Sequence, residues 1–125
     1  MPYYIDRNGN YYEGDRVHPQ DVSINRKPYT GEGSEYYYFD LGGTNDWIFD
    51  YQGYKQYLKE KFHKLLGQFC IEVLYGKISS QTREQFFDNF TTRYDNLKST
   101  VQPLTTKAEL DAVWETVENY FNGLT

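Results

Sequence analysis

The chain has 125 residues, with 13 Lys+Arg against 18 Asp+Glu and a formal net charge of -5. At 19% aromatic it is too rich in ring side chains for wholesale disorder, and its single cysteine, Cys70, excludes an internal disulfide or a cysteine metal cluster. No apolar run reaches the ~18–20 residues of a membrane span, and Met1-Pro2-Tyr3-Tyr4-Ile5-Asp6 lacks the basic start and apolar core of a signal peptide, so an acidic, soluble chain forming one compact domain is expected.

Tyr3-Tyr4-Ile5 and Tyr11-Tyr12 flank Asp6-Arg7-Asn8-Gly9-Asn10. Asn-Gly favours a two-residue turn with positive φ at both central residues, which predicts a short β-hairpin. Oxygen side chains at Asp6, Asn8 and Asn10 also have calcium-loop spacing. Such a loop needs Gly at its sixth position and a bidentate Glu at its twelfth, where this chain has Tyr11 and Val17. The turn reading is preferred.

Residues 14–28 read as an extended arm punctuated by Pro19 and Pro28, with a short pairing at 22–24. Tyr36-Tyr37-Tyr38-Phe39 forms a second strand candidate, bounded by Gly33 and by Gly42-Gly43. The paired glycines lack the Gly-x-x-x-x-Gly-Lys spacing of a phosphate loop. Residues 1–50 hold nine acids and four bases, hence the whole net charge, together with eight of the 14 tyrosines.

Residues 51–125 read as three helices. The first spans about 50–74: Tyr54, Leu58, Phe62, Leu65, Leu66, Phe69 and Val73 recur at spacings of three and four, and Gly76 closes it. The second runs from 80 to about 100, capped by Ser79 or Ser80, lined by Phe86, Phe90, Tyr94, Leu97 and Val101, and stopped by Pro103. The third runs from about 106 to 122. It opens on Thr106-Lys107-Ala108-Glu109, which has capping-box spacing, and carries Leu110, Val113, Trp114, Val117 and Phe121 on one face. Short connections between amphipathic helices predict antiparallel neighbours. The fold class is therefore α+β: an N-terminal extended arm with a short hairpin (1–50), then a C-terminal three-helix bundle (51–125). Its core is expected at Leu58, Phe62, Leu66, Phe69, Phe86, Phe90, Leu97, Leu110, Trp114 and Val117.

Chemistry-bearing residues are sparse. Cys70 and His63 fall on one helix about 10 Å apart along its axis, too far for a thiolate and its base, which must lie within ~3 Å; Cys70 is expected in the core. Two isolated histidines give no metal-ligand spacing. Acid pairs such as Glu13/Asp15, Asp46/Asp50 and Glu115/Glu118 read as solubilising side chains. Lys55, Lys59, Lys61 and Lys64 crowd the first helix, but the negative net charge disfavours a nucleic-acid partner. No catalytic residue, metal site or cofactor is expected. The tyrosines are more informative. Tyr3, Tyr4, Tyr11, Tyr12, Tyr36, Tyr37 and Tyr38 occur as adjacent pairs or a triple, so strands built from them carry rings on both faces. Tyr is enriched at protein interfaces because it offers apolar area with a polar tip. These seven residues are the partner-binding candidates.

The run Tyr3-Tyr4-Ile5-Asp6-Arg7-Asn8-Gly9-Asn10-Tyr11-Tyr12-Glu13-Gly14-Asp15, with Asp21-Val22-Ser23-Ile24 and Arg26-Lys27-Pro28 after it, resembles the opening of short tailed-bacteriophage proteins encoded with tail or fibre components. The start of the third helix, Thr106 to Asp111 with Trp114 beyond, looks like that of small tail-associated and fibre-assembly proteins. The resemblance implies a non-enzymatic virion structural or assembly protein. Its partners would be other viral structural proteins or copies of itself, and its location the virion or the host cytoplasm during assembly. An alternative is a small phage inhibitor of a host defence protein, with the acidic, tyrosine-rich half occupying a nucleic-acid site. Nine acids interspersed with four bases form a thin imitation of DNA.

Overall fold

A computed structural model describes residues 2–124. The fold is α+β, 53% helical and 12% strand, with short antiparallel strands followed by three helices. The chain divides into two compact units, residues 1–50 and 51–125.

In the first unit, β1 (Tyr3–Ile5) lies between β2 (Tyr11–Glu13) and β3 (Val22–Ile24), antiparallel to both. The turn between β1 and β2 differs from the two-residue form expected. Asp6 and Asn10 close a three-residue loop through Asp6 N–H to Asn10 O at 2.9 Å. Gly9 alone there takes a left-handed φ, of 83°, as the last residue of three-residue hairpin loops commonly does. Asp6 Oδ1 accepts from the N–H groups of Asn8 (2.8 Å) and Asn10 (2.9 Å). The oxygen that suggested a calcium ligand thus satisfies the turn's own backbone.

The second sheet pairs β4 (Tyr37–Phe39) with β5 (Trp47–Phe49). Sequence reasoning did not anticipate β5. Tyr36 falls in a 3-10 turn, Ser34–Tyr36, rather than in the strand. Asp40 organises the β4–β5 loop: its backbone N–H donates to Asp46 O, and its Oδ2 accepts from Thr44 N–H at 2.9 Å.

The second unit contains α1 (Tyr51–Leu74), α2 (Ser80–Val101) and α3 (Lys107–Asn122). Each terminus has an identifiable cause. Gly76, at φ 71°, ends α1 with Gly76 N–H on Val73 O and Lys77 N–H on Glu72 O. That is the Schellman pattern, which satisfies carbonyls the helix leaves unpaired. Ser79 Oγ caps α2 by accepting from Thr82 N–H at 3.1 Å. Thr106 Oγ1 caps α3 by accepting from Glu109 N–H, and its hydroxyl donates to Glu109 Oε1 at 2.6 Å. In a capping box the Glu would reach the Thr backbone amide; here it holds the hydroxyl. Ser79→Ala and Thr106→Ala are each expected to cost about 1 kcal/mol, the usual worth of an N-cap, read as a lower urea midpoint of the helical signal.

Phe69, Ile78, Phe86 and Phe121 form the buried core, surrounded by half-buried Phe62, Leu65, Leu66, Val73, Phe90, Val117 and Tyr120. Phe69 and Phe86 meet at 4.2 Å between ring centroids, and Phe121 stands 5.8 Å from Phe86. The backbones of α1 and α3 approach closely, whereas α2 is held off by these rings. A second buried point, Tyr54 with Leu110, ties the start of α1 to the start of α3. There the Tyr54 hydroxyl donates to Asp111 Oδ1, and Lys107 Nζ lies 2.7 Å from Asp111 Oδ2.

Of the expected core, Phe69, Phe86 and Leu110 are buried; Leu58, Phe62, Leu66, Phe90, Leu97, Trp114 and Val117 are only half-buried. Three helices cannot enclose both ends of stripes this long when one helix stands off. Cys70 is exposed rather than in the core. Phe69 and Val73 point inward, and a residue 100° further around the helix turns away from them.

Candidate functional site: the tyrosine faces

In antiparallel pairs, residues directly opposite lie on one face. The registers therefore place Tyr3, Ile5, Tyr11, Glu13, Val22 and Ile24 on one face of the three-stranded sheet, and Tyr4, Tyr12 and Ser23 on the other. The first face is internal. Ile5 is fully buried, Ile24 nearly so, and the Tyr11 ring meets the edge of Trp47 at 6.2 Å. Trp47 Nε1–H donates to Arg26 O at 2.9 Å, and the Arg26 guanidinium pairs with Asp46. The first 50 residues thus close a small core of their own. The strands carry rings on both faces, as expected, and the inner set is committed to this core.

The inner tyrosines are consumed locally. Tyr3 packs at 6.2 Å from Tyr11 with Lys27 Nζ 5.4 Å over its ring. The Tyr11 hydroxyl donates to Glu13 Oε1 at 2.6 Å. Desolvation and that bond push Tyr11 up to about 12. The same bond, with Lys27 alongside, holds Glu13 below the ordinary carboxylate range. Tyr37 packs between Tyr29 (5.0 Å) and Phe49 (5.1 Å). Tyr36 is half-buried, and its carbonyl accepts from Asp50 N–H at 2.7 Å.

The outer face carries Tyr4 and Tyr12, half-buried like Tyr3 and Tyr11 and stacked at 5.4 Å, with the Arg16 guanidinium 5.2 Å from the Tyr4 ring centroid. This Tyr-Tyr-Arg ladder is anchored from beneath. The Tyr12 hydroxyl donates to Asp21 Oδ2, which also accepts from His18 N–H at 3.0 Å, and Val17 N–H donates to the Tyr12 oxygen at 3.0 Å. Asp21 is 6% exposed. The Tyr12 bond leads the effects that hold its carboxyl below the usual range, while desolvation and Asp21 raise Tyr12. Val17 stands beside the ladder at 83% exposed. On the second sheet Tyr38, opposite Ile48, is exposed, as is Leu41.

Asp21 was not singled out from sequence, where it is one acid among nine. Its one signal is the turn His18-Pro19-Gln20-Asp21, since a carboxylate at the fourth position of a proline-bearing turn can accept from the backbone N–H of the first.

These shifts fix a pH response. Glu13 and Asp21 have lowered folded-state pKa values, so their stabilisation is present above the unfolded value and is lost as pH falls through the folded one. Tyr11 is raised, so its contribution is intact below ~10 and is lost as pH rises towards about 12. The first unit is expected to loosen below about pH 4 and above about pH 10. Indole and tyrosine NMR resonances across a pH series check this; a Tyr11 ring that titrates near the ordinary ~10 rather than towards about 12 would refute its assigned bond.

Glu13 and Asp46 hold structural partners, Tyr11 with Lys27 and Arg26 respectively. His63 is exposed beside Phe62. Among the described residues no three His, Cys, Asp or Glu side chains are grouped to hold a metal ion, and no helix is long and apolar enough to cross a membrane. Comparison of the chain with protein-family models, with curated proteins and with solved structures gives no match.

Proposed function

We propose that this chain is a non-enzymatic protein-binding part of a tailed-bacteriophage particle, structural or acting in assembly, and that its N-terminal unit contacts other virion chains. The observation that carries the binding role is the anchored Tyr4-Tyr12-Arg16 ladder on the outer sheet face, with Val17 exposed beside it. Stacked tyrosines topped by an arginine are the residue types concentrated at interface hot spots, and anchoring by Asp21 lowers the entropy lost on docking. On the second sheet Tyr38 and Leu41 are exposed apolar side chains as well. The virion assignment rests on the resemblance of residues 3–28 to phage tail- and fibre-associated proteins.

The test has two arms. Mass spectrometry of purified particles should detect the chain at a defined copy number. Tyr4→Ala/Arg16→Ala should reduce its incorporation strongly while circular dichroism stays unchanged. Detection only in the infected cytoplasm, bound to a host protein, would replace this reading with that of a host-defence inhibitor.

A further inference from the structure

Because α2 stands off from α1, the helical unit carries an open groove of about 530 Å³ between them. Its floor is Leu58, Phe62, Leu97, Trp114 and Val117, and its rim carries Lys55, Lys59 and Lys98 with no acid among the lining residues. We infer that this groove seats an acidic amphipathic helix of a partner protein, completing a four-helix arrangement. The surface is separate from the tyrosine faces, and the inference stands whether or not they bind a virion chain.

Four observations select that occupant. The groove is open to solvent along one side, so it desolvates one face of an occupant, whereas small-molecule sites enclose ~70–90% of their ligand. Its walls are helices, which leave no strand edge to pair with, so an incoming segment must satisfy its own backbone as a helix does. Residues 52–62 of α1 line it, a run of about 15 Å, which matches apolar anchors at i, i+3, i+4 and i+7. The rim supplies the charge rule. Lys55 Nζ donates to Gln102 O at 3.0 Å and closes one end, while Lys59 and Lys98 are exposed along the sides. A neighbouring depression between α2 and α3 shares Phe62, Tyr94, Leu97 and Val117. The C-terminal half of α2 is therefore underpacked on both sides, and an added helix would supply the missing contacts.

The probe is a pair of labelled 14-residue helical peptides (about 20 Å long) with Leu at those four positions. One has Glu on its flanks and the other Lys. With the full chain at low salt, the Glu peptide should bind about tenfold more tightly than the Lys peptide. Salt should weaken it, and the Trp114 emission should shift. Lys59→Glu/Lys98→Glu, at exposed positions, should reverse the preference, and amides of α2 near Leu97 should gain hydrogen-exchange protection on binding. Equal or tighter binding of the Lys peptide, or insensitivity to the charge reversal, would overturn the inference. So would no binding of the Glu peptide at about 1 mM, or dodecanoate binding in its place, which would make the groove a small-amphiphile site.

Discussion

Phe69→Ala is expected to remove most of the stability of the helical unit. Phe69 is 3% exposed, and its ring contacts Phe86 at 4.2 Å and Phe121 at 6.3 Å, so one side chain joins all three helices. Truncating a buried Phe costs ~3–5 kcal/mol, because the transfer free energy is lost and a cavity remains. A unit of this size has roughly 4–11 kcal/mol in total. The loss also removes ring contacts through which α2 rests on α1, and α2 has few closer contacts to fall back on. Trp114→Ala makes the contrast. Trp114 is half-buried in the groove wall, with Lys61 Nζ 4.7 Å above its ring, so its loss should fall clearly below the ~3–5 kcal/mol of a fully buried aromatic. Urea unfolding followed by the helical dichroism signal measures both. A Phe69→Ala loss smaller than that of Trp114→Ala would mean that the core sits at the groove end of the helices.

Ile5→Ala is expected to unfold the first unit and leave the helices standing. Ile5 is fully buried on the central strand, with Tyr11 opposite on β2 and Val22 on β3. An Ile→Ala change in such a place costs ~2–5 kcal/mol. About fifty residues with three-residue strands have little stability to spare. The two tryptophans report separately, Trp47 from the first unit and Trp114 from the second. In Ile5→Ala, the Trp47 indole resonance should move to its unfolded position while Trp114 stays. Simultaneous loss of both would show that the units fold as one cooperative body.

The helices were legible in the sequence because their cause is local. Apolar spacings of three and four, Ser79, Thr106 and Gly76 act within a turn or two of themselves, and the observed ends follow them. The β1–β2 hairpin was legible for the same reason, although its turn depended on the Asp6 side chain, which closes a longer loop than Asn-Gly alone suggests. The tyrosine runs marked the candidate site but not which of its rings the first unit's own core takes up. Which ring faces outward depends on register, and register was decided by pairing β1 with a strand 17 or more residues away and by burying Ile5 and Ile24. The strand at Trp47–Phe49 exists because Tyr37 and Phe39 need cross-strand partners, a requirement invisible in three residues. Tertiary packing alone decided the fate of the stripes. Periodicity names the face of a helix that seeks burial, while the rings at Phe69, Phe86 and Phe121 set how close the next helix comes. That separation left Leu97 and Trp114 lining an open groove, a feature of three helices together that no single stripe encodes.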